Sequence, residues 1–212
     1  MSESAAKLVP HRVRTDREQN SQNATVVPLW HQALEEPPRK HLTPAEVDAL
    51  CKSAKKRGRW GRRDALMIYM AAKHGLRRGE LVNLRWCQVD LKGATITVQR
   101  LKKGNPAVHP LDTAELRELG AISKAQGAGW EFIFVSERGA PMTGDGFDKM
   151  LRRAAEAIGM SAVHAHRLRH AAGYRLVNEG RDTRSIQGYL GHRQIRHTQV
   201  YTALDVNRFR GW

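Results

Sequence analysis

The sequence is short of acidic residues and of cysteine. Its 21 aspartates and glutamates stand against 36 lysines and arginines, which gives a formal net charge of +15 over 212 residues. A positive charge of that size favours a polyanionic partner, with nucleic acid ahead of an anionic membrane surface. Two cysteines, Cys51 and Cys87, cannot supply a disulfide framework or a four-cysteine zinc site. Both fall at apolar positions of predicted helices, so we expect core thiols in a reducing, cytoplasmic compartment.

Other signals are missing as well. No apolar run reaches 18 residues and the N-terminus has no signal-peptide pattern, so neither a membrane-spanning helix nor a membrane partner is expected. A GxxxxGK[ST] phosphate-binding loop is absent, which agrees with chemistry that needs no ATP. Internal repeats are not apparent. These absences leave a cytoplasmic, basic protein as the starting interpretation.

The apolar periodicity begins only after residue 41. Residues 1–41 mix Ser, Asn, Gln, Pro and charges without a sustained period, and they hold six basic against five acidic side chains. We interpret them as a flexible N-terminal arm or linker. Residues 42–212, with 30 basic against 16 acidic side chains, are expected to form one folded domain. The positive charge therefore belongs to the folded part.

Helical patterns dominate that folded part. Thr43, Pro44 and Glu46 form a capping signal, after which an apolar stripe follows the helical period. The segment from Asp64 to Ala72 is apolar on every side and should be a central helix that ends at Gly75. Further helices are predicted near residues 112–125, 147–158, 166–179, 182–190 and 195–203.

Three segments have the pattern of β-strands. Residues 94–100 (ATITVQR) alternate as a half-buried strand does, and residues 107–111 can pair with them across a lysine-bearing turn. Residues 131–135 (EFIFV) are expected to complete the sheet. The predicted fold class is therefore α+β, mainly α, with a small antiparallel three-stranded sheet.

The stretch HAHRLRHAAGYRLVNEGRDTRSIQGYLGHRQIRHTQVY, at residues 164–201, concentrates reactive and cationic side chains. Tyr201 offers a phenol that can attack, Arg169 and His192 can donate hydrogen bonds to charged oxygens, and His166 can move a proton. Almost no acid is present to neutralise them. We expect a site at which an anion is attacked, and we expect that anion to be a DNA phosphodiester.

Four blocks of sequence resemble the catalytic domain of the tyrosine recombinases, the phage-integrase family. They are GLRRGEL at 75–81, KKGN at 102–105, HRLRH at 166–170 and LGHxxxxxTxxY at 190–201, in the family's order. Each block alone is a weak signal, but all four together in a basic protein are a strong one. The resemblance implies the catalytic-domain fold of that family. The RLKKG…HPL segment, the run YLGHRQIRHT and the tail NRFRGW further resemble the family's small fimbrial-switch invertases.

The resemblance implies a set of residues that hold the scissile phosphate. Arg77 and Arg169 would clamp its non-bridging oxygens, a grip for which bidentate guanidinium is better suited than lysine. Glu80 would orient the first arginine, and His192 would hydrogen-bond the phosphoryl group. Arg77 and Glu80 also match a simple i, i+3 ion pair, which is the structural alternative.

The resemblance also implies residues that move protons and form the covalent bond. Tyr201 would attack and leave a 3′-phosphotyrosine, although a lone tyrosine is more often a core aromatic. Lys103 would protonate the departing 5′ oxygen, with Lys102 as the competing assignment and a solvated turn as the structural alternative for both. His166 would be the general acid/base, and His170 matches the supporting position after the second arginine.

This residue set can work without a metal or a cofactor. A phenol with a pKa of about 10 is ionised roughly one time in a thousand at neutral pH, so its proton must be removed during attack. Each preorganised donor of an oxyanion site is typically worth about 3–4 kcal/mol, and the predicted site holds several. His164, His166 and His170 could be read as a metal cluster, but no cysteine or carboxylate completes it. His164 is more simply a surface residue.

The leading hypothesis is a site-specific DNA recombinase that performs integration, excision or inversion. One alternative is a catalytically inactive DNA-binding regulator on the same fold, because most relatives carry a separate core-binding domain that residues 1–41 cannot supply. Another is DNA relaxation of the type IB topoisomerase kind. The expected partners are double-stranded DNA, further copies of the chain in a homotetramer on DNA even if the free protein is a monomer, and accessory DNA-bending proteins.

Overall fold

The computed structural model describes residues 41–101 and 106–202. Within these ranges the chain forms eight α-helices and three short strands, in the order α1–α3, β1–β3, α4–α8. The predicted class, mainly helical with a small antiparallel three-stranded sheet, is confirmed. The helices are α1 (Pro44–Lys55), α2 (Gly61–His74), α3 (Arg78–Val82), α4 (Thr113–Gln126), α5 (Gly144–Glu156), α6 (Ala165–Asn178), α7 (Thr183–Leu190) and α8 (Arg196–Thr202).

The N-terminal cap of α1 forms as its sequence predicts. The hydroxyl of Thr43 accepts a hydrogen bond from the backbone N–H of Glu46 at 3.2 Å, and the Glu46 carboxylate accepts one from the backbone N–H of Thr43 at 2.7 Å. Two of the N–H groups near the helix start are thereby satisfied. The helix then buries Val47, Leu50 and Ala54 against its neighbours.

Helix α2 is the centre of the fold. Its apolar residues Leu66, Met67, Ile68 and Met70 are buried, as expected for a segment that is apolar on every side. It packs against α1, α3, α4 and α6. Gly75 ends it in the left-handed conformation at φ 60°, and a Cβ there would lie 2.4 Å from Leu190. The chain therefore turns at this glycine and enters α3.

The sheet consists of β1 (Val89–Asp90), β2 (Thr95–Val98) and β3 (Ala107–Pro110), in that order and all antiparallel. The prediction that residues 131–135 complete it is wrong. The segment is extended, but it bonds to the backbone of Leu84 and Trp86 on one side and of Met142 on the other. Residues 89–90 occupy the sheet position next to β2 instead.

One of the two cysteine predictions is wrong. Cys51 on α1 is partly buried against the core, and burial raises the pKa of its thiol to about 12. Cys87 is exposed, because it lies in the 3-10 turn Trp86–Gln88, which does not continue α3 as a helix. Along the described ranges, no helix is long and apolar enough to cross a membrane.

Helices α6, α7 and α8 enclose a second, smaller apolar cluster that contains Leu176, Ile186, Leu190 and Tyr201. Helix α7 ends at Gly191, which has a φ of 63°. A Cβ at Gly191 would lie 2.7 Å from Cγ of Arg100, so only glycine leaves room for that arginine. The end of α7 is thus brought against the residue that follows β2.

Candidate active site

Arg77 caps the N-terminus of α3 and is held by a carboxylate of the same helix. Its Nη1 donates to Oε1 of Glu80 at 2.7 Å, and its backbone N–H donates to Oε2 at 3.0 Å. The Arg77 side chain is 31% exposed, whereas that of Glu80 is 1% exposed. The guanidinium therefore faces a region that a ligand can reach, while its partner is buried beneath it.

A second guanidinium, that of Arg100, meets Glu80 from the other side. Its Nη1 donates to Oε2 of Glu80 at 2.8 Å, and its Nη2 donates to the backbone carbonyl of Tyr189. Burial alone would raise the pKa of Glu80, but the hydrogen bond from the Arg77 backbone and the charge of Arg100 outweigh it and hold this pKa below its ordinary value. Glu80 is thus ionised between two arginines.

Arg100 was missed by the sequence analysis, although the sequence contains a signal for it. Side chains alternate along a strand, so Ile96, Val98 and Arg100 share one face. Ile96 and Val98 are fully buried and Arg100 almost so. An arginine in register with two core residues predicts a buried ion pair, and the carboxylate of Glu80 meets that requirement.

Arg169 lies in the second turn of α6 and is 1% exposed. Its Nη1 donates to the carbonyl of Gly75, and its Nη2 donates to the carbonyl of Leu190 at 2.7 Å. Burial, followed by the charges of Arg77 and Arg100, lowers the pKa of Arg169 to about 10. The guanidinium therefore joins the end of α2 to the end of α7, with Arg77 close enough to repel it.

His192 follows the glycine that ends α7. Its Nδ1 and the Thr198 hydroxyl are 2.9 Å apart, and its carbonyl accepts from Nε2 of Gln187 at 3.0 Å. Burial, then the charges of Arg169 and Arg77, lower the pKa of His192 to about 3. The ring is neutral at physiological pH, and its orientation is fixed through Nδ1, which leaves Nε2 for another partner.

Tyr201 on α8 lies against α6 and is only 2% exposed. Its hydroxyl and Nδ1 of His170 are 3.0 Å apart. The ring rests on Gly173, where a Cβ would lie 2.6 Å from Cζ of the tyrosine. It is also parallel to the His192 ring, at a centroid distance of 6.2 Å. The phenol is therefore a buried group in this conformation.

His166 lies on the same face of α6, one turn before His170, and is exposed. The two rings meet edge to face with centroids 4.5 Å apart. Burial, then the charge of Arg169, lowers the pKa of His166 from its ordinary value. His164, at the N-cap of α6, is exposed as expected.

The structure brings five of the predicted residues into one cluster: Arg77, His166, Arg169, His192 and Tyr201. The charges of both arginines help to lower the pKa of His166 and of His192. Burial raises the pKa of Tyr201, and the same two charges oppose that rise without cancelling it. The Tyr201 hydroxyl does not hydrogen-bond to either arginine among the described contacts. Lys102 and Lys103 lie outside the described residues.

A buried polar network, also missed from the sequence, lies behind the arginines. Nε2 of His74 is 2.6 Å from Oε1 of Glu115, and its Nδ1 is 3.2 Å from Nδ1 of His109. The His109 ring stacks on Tyr189 at 3.7 Å. The Tyr189 carbonyl accepts a hydrogen bond from Arg100. This network therefore supports the backbone that holds the Arg100 guanidinium in place. Among the described residues, no cluster of three or more His, Cys, Asp or Glu could hold a metal ion.

Comparison with known sequences gives one consistent result. The model of the phage integrase family matches residues 40–208. The type 1 fimbriae regulatory protein FimE of Escherichia coli K12 is 41% identical over 179 residues, which cover 82% of this chain and 90% of FimE. FimB of the same strain is 38% identical over 178 residues, which cover 82% and 88%. The tyrosine recombinase XerC of Oceanobacillus iheyensis is 32% identical over 158 residues, which cover 71% and 52%.

Solved structures show the same fold. The crystal structure of XerA recombinase aligns with a TM-score of 0.69 at 27% identity, covering 82% of this chain and 64% of XerA. A lambda integrase dimer bound to a COC′ core site aligns with a TM-score of 0.61 at 23% identity, covering 84% and 51%. The chain therefore spans between half and two thirds of these longer relatives.

Proposed function

Because this chain belongs to the phage integrase family, we propose that Arg77, Arg169 and His192 bind a scissile DNA phosphate and that Tyr201 attacks it. The protein is a tyrosine-type site-specific recombinase, which breaks and rejoins DNA strands. The observation that carries the residue assignment is the cluster of two guanidiniums, a neutral imidazole and a phenol, in which both arginine charges reach the phenol.

The arginines have donors to spare for a phosphate. A guanidinium carries five N–H groups, and the bonds to Gly75 and Leu190 use two of those of Arg169. Arg77 uses one side-chain donor on Glu80, and its side chain is 31% exposed. Two guanidiniums held this way by buried partners need little reorganisation when charge develops on the phosphoryl oxygens. We assign Glu80 the role of orienting Arg77.

The reaction exchanges one phosphate ester for another. The Tyr201 oxygen forms a bond to phosphorus as the bond to the 5′ oxygen breaks, which leaves a 3′-phosphotyrosine and a free 5′ hydroxyl. We assign the proton of that hydroxyl to Lys103, with Lys102 as the alternative donor, and general acid/base work to His166. Rejoining is the reverse exchange. The ester conserves the energy of the broken bond, so no ATP is required.

Burial of Tyr201 adds a condition to this mechanism. With 2% of the residue exposed, DNA reaches the phenol only if the segment around α8 opens. Helix α8 packs on α6 and α7 and has seven residues, so few contacts must be given up. We therefore propose that DNA binding admits the phosphate between Tyr201 and the arginines, and that the free protein is closed.

Both the charge of the site and the family membership support DNA as the partner of this protein. We further propose that the protein forms a homotetramer on DNA, since recombination joins two duplexes. Accessory DNA-bending proteins would complete its binding to DNA. The proposed domain at residues 42–212, after an arm at 1–41, is supported by a family match that begins at residue 40. We also propose a cytoplasmic location, which the two free thiols, Cys51 and Cys87, support because thiols persist in a reducing compartment.

A catalytically inactive regulator is the second candidate, favoured by the buried phenol and by relatives that are named as regulatory proteins. Sequencing the DNA beside the gene for inverted or direct repeats would supply a candidate target, and a duplex that carries such a repeat, nicked within it, separates the two candidates. The recombinase should form a covalent protein–DNA adduct on a denaturing gel. Tyr201→Phe should abolish the adduct and keep DNA binding, whereas the control Tyr174→Phe should keep both. An adduct in Tyr201→Phe, or none in the wild type, contradicts the proposal. Plasmid relaxation without strand exchange would instead favour the topoisomerase alternative.

A further inference from the structure

A basic cavity of about 650 Å³ lies at the N-terminal end of α2, between the loop that joins α1 to α2, the turn after residue 135 and α5. The two carboxylates of Asp64 and Glu137 line it, together with five cationic side chains: Arg57, Arg59, Arg63, Lys149 and Arg153. It shares no residue with the proposed active site, which lies at the other end of α2. The chemistry proposed for Tyr201 therefore does not account for this charge.

One of the five cations is neutralised within the cavity. Arg63 donates from Nη2 to Oδ1 of Asp64 at 2.6 Å, and from Nη1 to the carbonyl of Val135 at 2.6 Å. The other four cationic side chains are exposed, and none of them forms an ion pair with a carboxylate of the described ranges. Like charges that face one cavity repel each other, so an anion that enters it is attracted by all four.

Two structural elements hold these cations in place. Trp60 lies at the start of α2, and the guanidiniums of Arg59 and Arg63 each lie 4.8 Å from the centroid of its ring. These cation–π contacts direct Arg59 along the indole. Lys149 and Arg153 are four residues apart on α5 and therefore share one face of that helix. The charges thus converge from a packed loop on one side and a helix on the other.

Helix α5 connects the cavity to the active site. Its first residue, Gly144, is covered by Arg78, because a Cβ there would lie 2.9 Å from Nε of that arginine, and Arg78 follows Arg77 in the chain. At the ordinary helical rise, the axis of α5 between Gly144 and Arg153 is about 14 Å long. Phosphates of one DNA strand advance by about 3.4 Å per nucleotide. The distance therefore corresponds to about four base pairs.

We propose that this cavity binds the phosphate backbone of the duplex about four base pairs from the scissile phosphate, as a second and sequence-independent contact. Guanidinium groups suit phosphate oxygens because they can donate two parallel hydrogen bonds. An acidic protein segment would be attracted by the same charge, but the position of the cavity along α5 favours a duplex that is already bound at Arg77. This inference rests on the proposed function, which brings the duplex to Arg77.

The test measures how tightly the repeat-bearing duplex binds, in a Tyr201→Phe background that prevents cleavage. Changing Arg57, Lys149 and Arg153 together to Gln should raise Kd by about tenfold or more, and should make the slope of log K against log salt shallower by about two to three. The matched control changes three exposed cations outside the cavity to Gln and removes the same charge: Lys92, Lys124 and Arg184. Its Kd should stay within about threefold of the background protein, and urea unfolding checks that both variants are folded.

Trimming the duplex separates this contact from those at the active site. The adduct formed by the wild type identifies the cleavage position. Shortening one end of the duplex to about two base pairs from it should raise the Kd of the background protein and of the control about tenfold, but that of the cavity variant less than about threefold. This comparison uses the background protein itself, so it decides the question even if the cavity variant does not fold.

The inference is overturned if the cavity variant binds the full duplex as tightly as the control. It is also overturned if trimming either end changes the Kd of the background protein by less than about threefold, since no contact then lies beyond the trimmed position. In both cases an adduct in the wild type leaves the proposed function intact. A wild type that forms no adduct refutes the proposed function itself.

Discussion

Arg100 and Glu80 form a buried ion pair, with Nη1 of the arginine 2.8 Å from Oε2 of the carboxylate and both side chains at most 1% exposed. Since Oε1 of the same carboxylate binds Arg77, the pair ties an exposed guanidinium to the interior. The other end of Arg100 is held by the carbonyl of Tyr189, one turn before His192. The residues proposed to bind phosphate are therefore connected through a core arginine.

Arg100→Met should destabilise the protein and slow cleavage together. Removing one partner of a buried ion pair typically costs about 3–5 kcal/mol, because the other charge stays buried without compensation. Urea unfolding measures the first effect, and adduct formation on the nicked duplex measures the second. Arg85→Met is the matched control, since Arg85 pairs with Glu131 at the surface and its loss should cost at most about 1 kcal/mol. Equal stabilities for the two variants would show that Arg100 has no such role.

Gly173→Ala should disturb the phenol slot. The new Cβ would lie 2.6 Å from Cζ of Tyr201, so α8 has to move away from α6 or the tyrosine has to leave its position. Overpacking of this kind costs about 1–3 kcal/mol, which denaturant unfolding would detect. Gly188→Ala on α7 meets nothing within 4 Å and should stabilise by up to about 1 kcal/mol. A Gly173→Ala variant as stable as Gly188→Ala would mean that the slot is not closed in solution.

Stability should fall as the solution is acidified below pH 6.5. Burial, then His74 and Arg100, lower the pKa of His109 to about 3, so the unfolded chain binds a proton there that the folded chain does not. The free energy of unfolding should drop by about 1.4 kcal/mol per pH unit for each such histidine between its two pKa values. Tyr189 and Glu115 also belong to this network, but the pKa of His109 stays below its ordinary value in their presence. Acid therefore still lowers the stability of the folded protein.

The His109 contribution can be isolated by substitution. Urea unfolding of His109→Phe, which can still stack on Tyr189, should show a pH slope smaller by one proton between pH 6.5 and 4. His170 and His192, whose pKa values are also lowered, keep the rest of the slope. His164→Gln, at an exposed position, should leave the slope unchanged. An unaltered slope in His109→Phe would contradict the buried, neutral state of His109.

The competing lysine assignments can be separated by the leaving group. If Lys103 protonates the 5′ oxygen, Lys103→Ala should slow cleavage about 100-fold or more, and a 5′-bridging phosphorothiolate should restore the rate, because a thiolate leaves without a proton. Lys102→Ala should change cleavage of the ordinary substrate little. The reverse pattern would transfer the role to Lys102, and a loss that sulfur does not restore would exclude both as the acid.

Elements with a local signal could be predicted from the sequence. The capping box at Thr43 and the helix stop at Gly75 depend on neighbours three or four residues away, and both form as expected. The strand at 131–135 was wrong because its apolar alternation also suits an extended core segment, and only tertiary packing decides which strand joins β2.

The residue types of the site could be predicted, but not their partners. The blocks around Arg77, Arg169, His192 and Tyr201 are readable as motifs, whereas the bond from Tyr201 to His170 depends on how α8 packs on α6. The carbonyl partners of Arg169 come from residues 94 positions before it and 21 positions after it. Contacts of that range follow from the complete fold and have no local sequence signal.

The identity of the covalently modified residue tests the central claim most directly. The adduct trapped on a nicked duplex would be digested with nuclease and protease, and the peptide that retains a 3′-linked nucleotide would be sequenced by mass spectrometry. The account predicts a single modified peptide with the nucleotide on the Tyr201 oxygen. A nucleotide on any other side chain, or an active protein whose modified peptide lacks Tyr201, would contradict it.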